Sequence, residues 1–370
     1  MVYIHVPFCH RKCTYCAFYS HGAPAPRRLT AYVDALLEEM ERRKGEQAHP
    51  IRTVYLGGGT PSILPLEELT RIVEGLRRCF DLSQVEEATV EANPEDLTPE
   101  YLLGLKALGL FNRLSIGIQS FHDEELRLLN RRHDGRQALQ AVENAVEAGF
   151  SNISIDLIYG LPGQGLMDWR DNLERVATLP VQHLSAYALT LEKGTILEKQ
   201  VEQGRVATAT EGEVLDHYES LLEWARSNGF EQYEISNFSK PGFRARHNSR
   251  YWNRTPYLGV GAAAHSFDGE YRRWNVADVR QYVASAASGH IAHEEEQLGL
   301  KDAHNEYVMT ALRTVEGIEK SQVALPFVTR LKESIARFVA AGLIEETPTH
   351  YRPTHQGLLH ADGIAAELFL

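Results

Sequence analysis

Six short runs rich in β-branched and aromatic residues recur through the first half of the chain. They are VYIHVPF (2–8), TVYLGGG (53–59), EATVEAN (87–93), RLSIGIQS (113–120), NISIDLIYG (152–160) and HLSAYALT (183–190). Between them, apolar residues return every three or four positions. In ELTRIVEGLRRCF, for example, Leu69, Ile72, Val73, Leu76 and Phe80 share one side of a helix. The spacing predicts helices near 28–45, 66–80, 98–108 and 166–178, with helical segments from about 121 to 148. Such β–α alternation, repeating at roughly thirty residues, predicts a parallel sheet with right-handed crossovers. The sheet is either doubly wound or curled toward a barrel, and in both cases chemistry gathers at the carboxyl ends of the strands. Cys9, Gly57, Gly58, Gly59, Glu91, Gln119, Asp156 and Thr190 fall at those ends.

Beyond residue 192 the pattern is mixed. A helix is predicted near 210–228, then a strand-like YEISNFS (233–239), a polar HNSRYW (247–252), and strand-like YLGVGAAAHS (257–266) and YRRWNV (271–276). The stretch 283–300, small residues followed by an acidic run, reads as a linker. Helices near 302–314 and 328–341, with GLIEE and HYRPT as a two-stranded wing, suggest a winged-helix-like unit. The expected domains are therefore 1–290 and 298–370. Residues 298–370 carry seven Lys/Arg against nine Asp/Glu, and the whole chain has net charge −12 from 38 basic and 50 acidic residues. Nucleic-acid binding needs clustered positive charge, so it is not expected, and a docking or lid role suits the terminal unit better. With 43% hydrophobic and 24% charged residues the chain is globular, which excludes disorder and collagen. No apolar stretch approaches the ~18 residues of a membrane span. No basic-then-apolar leader opens the sequence, so a cytoplasmic location is expected.

Four cysteines are too few for a disulfide scaffold in 370 residues. Cys9, Cys13 and Cys16 form CxxxCxxC, while Cys79 is expected to pack near the buried face of its helix. Three thiolates on one tight loop suit three irons of a [4Fe–4S] cube and leave the fourth iron open; electron-transfer clusters use four cysteines. Zinc held by the three cysteines with His10 or His21 is the alternative. GGGTP (57–61) lets backbone approach a ligand, or simply turns the chain out of a strand. Glu91, Gln119, Arg131 and Asp156 are individually ordinary caps or ion-pair residues. Lined along one sheet edge, they suit ribose hydroxyls and a carboxylate.

CxxxCxxC just after a first strand resembles the signature of radical S-adenosylmethionine (SAM) enzymes. That resemblance implies an α/β fold, a partial (β/α)6 barrel. It also implies a [4Fe–4S] cluster on Cys9, Cys13 and Cys16, with SAM on the open iron and cleaved there to methionine and a 5′-deoxyadenosyl radical. Through YIHVPFC, DLIYGLPGQ, HNSRYW and the C-terminal domain, the whole chain resembles one branch of these proteins. It holds the oxygen-independent coproporphyrinogen III dehydrogenases and a group of heme chaperones. Matched motif by motif, the implied SAM contacts are Tyr3, Tyr15, Gly58, Gly59, Thr60, Glu91, Gln119, Arg131 and Asp156, with Arg132 an alternative to Arg131. Three features favour the chaperone side. Phe18 stands where the dehydrogenases carry a fourth cysteine, only eight residues precede Cys9, and the hallmark HNxxYW is present as His247, Asn248, Tyr251 and Trp252.

The resemblance thus implies heme binding and delivery to acceptor hemoproteins, with no catalytic residue assigned. Oxidative decarboxylation of coproporphyrinogen III is the alternative. His247 is the candidate heme ligand, with His5, His21 and His265 as rivals. Tyr251 and Trp252 are candidates to pack on the porphyrin, and Arg244, Arg246, Arg250 and Arg254 to pair with its propionates. A purely structural role for this segment stays open. The implied partners are heme, acceptor hemoproteins, membrane-associated ones included, and an electron donor of flavodoxin or ferredoxin type.

Overall fold

The computed structural model describes residues 1–47 and 49–370. All six β-type runs are strands: β1 (Val2–Val6), β2 (Thr53–Gly58), β3 (Glu87–Ala92), β4 (Arg113–Gln119), β5 (Ile153–Tyr159) and β6 (His183–Ala188). They pair in chain order and in parallel, with Tyr3 beside Tyr55, Tyr55 beside Thr89, Glu91 beside Ser115, and Asp156 beside Ser185. The crossover helices are α1 (Pro26–Arg43), α2 (Leu66–Cys79), α3 (Pro99–Ala107), α4 (Gly135–Glu147) and α5 (Leu166–Thr178); a short helix, Asp123–Leu128, precedes α4. Sequence explains their limits. Pro99 opens α3 behind a Thr98 cap, and Asp134 with Gln137 forms a capping box on α4. On α2, Leu69, Ile72, Val73 and Leu76 are wholly buried. Each such side chain contributes about 1.5–3 kcal/mol.

Two short strands, β7 (Glu231–Gln232) and β8 (Asn237–Ser239), extend the sheet, β8 antiparallel to β6 and β7 antiparallel to β8. On the far edge β9 (Leu258–Val260) joins β1 in parallel. The order is β9-β1-β2-β3-β4-β5-β6-β8-β7, an open sheet in keeping with the partial barrel. Two expectations change. HNSRYW is a short helix, Arg246–Trp252. The expected linker at 283–300 is ordered: it holds the end of the helix Val279–Ala287 and the strand His293–Gln297. Its acidic run pairs across an antiparallel ladder, Glu295 opposite Arg273 and Glu296 opposite Arg272. Opposite charges facing each other favour a strand there.

A second core lies beyond residue 300. Val308 and Leu312 of the helix Leu300–Leu312, Leu331 and Ile335 of Val328–Ala340, and Ile364 of Ala361–Leu368 pack together. A three-stranded wing accompanies them: Ile318–Glu319, His350–Pro353 and Ile344–Glu346. With the short helix His355–Leu359, that is two helices and one strand more than the sequence pattern suggested. Among the described residues no helix is long and apolar enough to cross a membrane.

Candidate functional site

The cysteine loop leaves β1 and is fastened at both ends. Phe8 and Cys9 pair with His21 and Gly22, and the His21 N–H donates to the Pro7 carbonyl at 2.8 Å. Its middle is pinned to the segment after Asp123–Leu128. The Thr14 hydroxyl donates to the Leu128 carbonyl at 2.9 Å, the Thr14 N–H to Leu129 at 3.1 Å, and Asn130 Nδ2 to the Lys12 carbonyl at 2.8 Å. The thiols of Cys9, Cys13 and Cys16 are half-buried, and none is in a disulfide. Burial pushes the Cys9 and Cys16 thiols up, and the neighbouring Cys13 adds to both shifts, so the sulfurs share one electrostatic neighbourhood. Arg131 Nη1 lies 3.5 Å from Cys13 Sγ, and the Thr60 hydroxyl donates to Cys9 Sγ at 3.4 Å. Unpaired thiols on one fixed loop, with N–H and O–H donors beside the sulfurs, fit the ligand set of a [4Fe–4S] cube. Among the described residues no three His, Cys, Asp or Glu side chains, the three cysteines included, are drawn together around one ion.

The glycines after β2 let that strand end lie against the loop. A Cβ on Gly59 would sit 2.8 Å from the Phe8 carbonyl oxygen and 3.0 Å from Cys9 Sγ. Gly58 has φ +118°, and a Cβ there would meet the His5 ring at 2.6 Å. Glu91 is held from two sides: the Tyr55 hydroxyl donates to it at 2.6 Å and the Gly58 N–H at 3.1 Å. Burial pushes Glu91 up to about 7, with the Asp156 charge adding to the shift. Burial also raises Asp156 to about 6, against the pull of Ser185, the buried Arg113 and the Ser115 hydroxyl, which donates at 3.4 Å. Tyr3 stacks on Tyr55 with ring centres 6.1 Å apart, and its hydroxyl lies 2.8 Å from His5 Nδ1.

Gln119 adopts φ 70° where the β4–β5 register slips between Gly117 and Gln119. A non-glycine residue in the left-handed region at a strand end is a strained feature of the kind found at binding sites. Arg131 donates to Asn93 Oδ1 at 2.7 Å and to the Gly117 carbonyl at 2.5 Å. Arg132 turns instead to Glu95 and Asp96, at 3.6 and 3.8 Å. Tyr15 packs against Leu129, Ile158 and Leu161, and burial raises its phenol.

The strand ends thus bring together most of the residues singled out above; Thr190 lies past the end of β6. Three contributors went unassigned. Asn93, two residues after Glu91 in EANP, orients Arg131. Tyr55, on the same face of β2 as Thr53, fixes Glu91. Arg113 is the buried cation among the acids. Alternation along β2 and β4 was the signal for Tyr55 and Arg113.

The HNSRYW segment lies elsewhere. Its helix seats on the start of β3, where the Arg246 and His247 N–H groups donate to the Glu87 carboxylate at 2.9 and 2.8 Å. His247 is wholly buried. Its Nδ1 is 2.9 Å from the Thr53 hydroxyl and its Nε2 3.1 Å from the Tyr251 hydroxyl. Burial pushes the imidazole down to about 3, so it is neutral. Both ring nitrogens are engaged, which differs from the open imidazole expected of a heme ligand. Thr53 and Glu87 begin their strands, so this helix stands at the opposite end of the sheet from the cysteines. Asn248, Tyr251 and Trp252 line a cavity of about 380 Å³ with Glu234 and Arg313. Arg244, Arg246 and Arg254 pair with Glu316, Glu86 and Glu306.

Residues 3–176 match the Radical SAM superfamily and residues 298–360 the HemN C-terminal domain. The chain is 34% identical over 364 residues to the heme chaperone HemW of Bacillus subtilis, covering 96% of each. It is 30% identical over 380 residues to the heme chaperone HemW of Escherichia coli, covering 100% of this chain and 97% of that one. The solved structure of coproporphyrinogen III oxidase (HemN) from Escherichia coli, described as a radical SAM enzyme, superposes with TM-score 0.85 at 25% identity, over 100% of this chain and 89% of that one. With identity sustained along nearly the whole of both chains, this chain belongs to the heme chaperone HemW family of the radical SAM superfamily.

Proposed function

We propose that this protein binds heme and passes it to acceptor hemoproteins, while Cys9, Cys13 and Cys16 hold a [4Fe–4S] cluster whose open iron takes SAM. The observation that carries the reading is the end-to-end similarity to heme chaperones. The cysteine loop agrees with it: Phe18, where the related dehydrogenases carry a further cysteine, is 73% exposed. A bound cluster and SAM supply one-electron reductive chemistry. The chain's own residues do the holding. Arg131, oriented by Asn93, offers a guanidinium to the SAM carboxylate. Gly58, Gly59 and Thr60 offer backbone and hydroxyl groups to the amino group. Tyr3, Tyr15, Glu91, Gln119 and Asp156 complete the pocket on this reading. Exposed Phe18, with Arg11 and Lys12 nearby in the loop, suits an acidic electron donor of flavodoxin or ferredoxin type.

The 0.85 TM-score to a coproporphyrinogen III oxidase favours decarboxylation as the second reading. One anaerobic preparation separates the two. The cluster is reconstituted, iron and sulfide are counted, and SAM, reductant and coproporphyrinogen III are added. Mass spectrometry then looks for loss of two carboxyl groups over many turnovers. In parallel, the heme-loaded protein is mixed with an apo-hemoprotein, and the gain of its holo spectrum is followed. Transfer without decarboxylation is expected; multiple-turnover decarboxylation would establish the second reading instead.

A further inference from the structure

We infer that the tetrapyrrole sits at the amino-terminal end of the sheet, in a cavity at the opposite end from the cysteine loop, with Arg250 anchoring its carboxylates; this rests on the heme-binding reading above. The cavity holds about 1090 Å³, at the upper end of small-molecule sites, which span ~300–1,000 Å³. Met1 and Leu258, at the starts of β1 and β9, form its inner wall. Chemistry in parallel α/β folds gathers at the other end, so this space is not part of the cysteine-loop site. Pro50, Pro256, Tyr257 and Phe267 supply an apolar surface suited to a flat ring system.

The charges decide what ligand fits. Four arginines line the cavity, and two are already committed. Arg43 is clasped by Glu39 and Glu46 at 3.0 and 2.8 Å, and Arg52 by Glu86 at 2.6 Å. Arg250 pairs with no carboxylate among the described residues. Arg273 has Glu46 at 3.7 Å and Glu295 opposite it on the antiparallel ladder, and its Nε is buried without a partner. Of the acids on the wall, Glu46 is held by Arg43, and Asp268 accepts the N–H groups of Glu270 and Tyr271. Glu295 stands on an exposed strand. The free guanidinium of Arg250 and the loosely held one of Arg273, beside an apolar wall, match a planar amphiphile with carboxylates, as heme is. Arg250 belongs to HNSRYW. The helix therefore serves the tetrapyrrole through Arg250, at a position the HNxxYW hallmark leaves open, while His247 locks the helix to the sheet.

The test is a titration of the full-length, cluster-reconstituted protein with iron(III) protoporphyrin IX, read at the Soret band. The wild type is expected to take one heme per chain. Arg250→Glu should bind about tenfold more weakly, because one charge-assisted contact becomes a repulsion at a half-exposed site. Its iron and sulfide content should not change. Iron(III) protoporphyrin IX dimethyl ester should bind the wild type and Arg250→Glu equally. Thr255→Trp, which fills the cavity from another side, should also weaken heme binding and carries the test if Arg250→Glu fails to fold. Wild-type affinity in folded Arg250→Glu and Thr255→Trp would overturn this location and leave the heme-binding reading standing. A wild type that takes up no heme would overturn both.

Discussion

Replacing Gly59 by alanine is the sharpest check on how the cysteine loop is built. The added Cβ would lie 2.8 Å from the Phe8 carbonyl oxygen, 2.9 Å from the Phe8 nitrogen and 3.0 Å from Cys9 Sγ. Comfortable contacts to carbon fall near ~3.5–4.0 Å, so three atoms are overlapped by half an ångström or more. Two of them are backbone atoms at a junction tied by the Gly59 N–H to the Val6 carbonyl and the His21 N–H to Pro7, both at 2.8 Å. They cannot rotate aside as a long side chain would. Overpacking of this kind costs about 1–3 kcal/mol. At about 2 °C per kcal/mol for a unit of this size, the melting midpoint should fall by roughly 2–6 °C. The displaced junction carries Cys9, so reconstituted iron and sulfide per chain should fall as well. The assay pairs circular-dichroism melting with iron and sulfide determination after anaerobic reconstitution. Gly212→Ala is the control: it lies in the helix Glu211–Ser227 with nothing within 4 Å of the new methyl. It should hold or raise stability and leave iron unchanged. Full iron content and an unshifted midpoint in Gly59→Ala would refute the packing argument.

Cys9→Ala should lower reconstituted iron, whereas Cys79→Ser, at the buried end of α2, should not; equal iron in both would remove Cys9 from the ligand set. Burial holds Glu91 up at about 7 against an ordinary 4.5, so the native state keeps a proton that the unfolded chain releases. The Glu91 contribution to the stability of the cluster-free protein should therefore fall as pH rises from about 4.5 to about 7 and level off above; Glu234, also raised to about 7, adds to that fall, and the imidazoles of His5 and His247, held down to about 4 and about 3, oppose it. The difference in stability between wild type and Glu91→Gln should carry that slope, worth about 3 kcal/mol at 1.36 kcal/mol per unit. Urea unfolding across that range measures it, and an identical slope in Glu91→Gln would contradict the shift. His247→Ala should destabilise by about 2–4 kcal/mol, since it empties a buried site and strands the Thr53 hydroxyl. The Soret maximum of bound heme should stay where it was, and a shifted band would make His247 a ligand.

Much of the fold was legible because β–α alternation is a local signal. Each of the six strands lies within the run that announced it, since every one buries apolar residues against helices whose own faces repeat at helical spacing. What escaped depends on distant partners. β9 lies within the strand-like YLGVGAAAHS, but only the fold shows that it joins the main sheet, in parallel on the open edge of β1. The strand His293–Gln297 has the composition of a solvated linker and gains its ladder from Arg272 and Arg273, twenty or so residues earlier. HNSRYW is polar by composition, yet it becomes a helix because Glu87, 160 residues away, accepts the His247 N–H.

The site divides along the same line. Positions at the strand ends were legible: Cys9 follows β1, Gly58 and Gln119 end β2 and β4, and Glu91 stands one residue from the end of β3, whereas Asp156 lies at the middle of β5. Residues whose role is to position another were not, because a sequence does not show which donor a side chain will meet. Asn93 and Arg131 are 38 residues apart, and only the fold shows that Asn93 selects Arg131 over Arg132 for the cysteine side. His247 is the same lesson reversed. An imidazole in a motif invites a ligand role, but this one is spent on Thr53 and Tyr251 at the far end of the sheet from Cys9. The two ends therefore carry different chemistry, thiols and glycines at one and guanidiniums with aromatic rings at the other. Between them the lumen is occupied by Tyr3, Tyr55 and His247, with Tyr55 stacked toward Tyr3 and 5.0 Å from the His247 ring while its hydroxyl holds Glu91. One buried tyrosine thus touches both the strand that shapes the cysteine loop and the helix that carries Arg250.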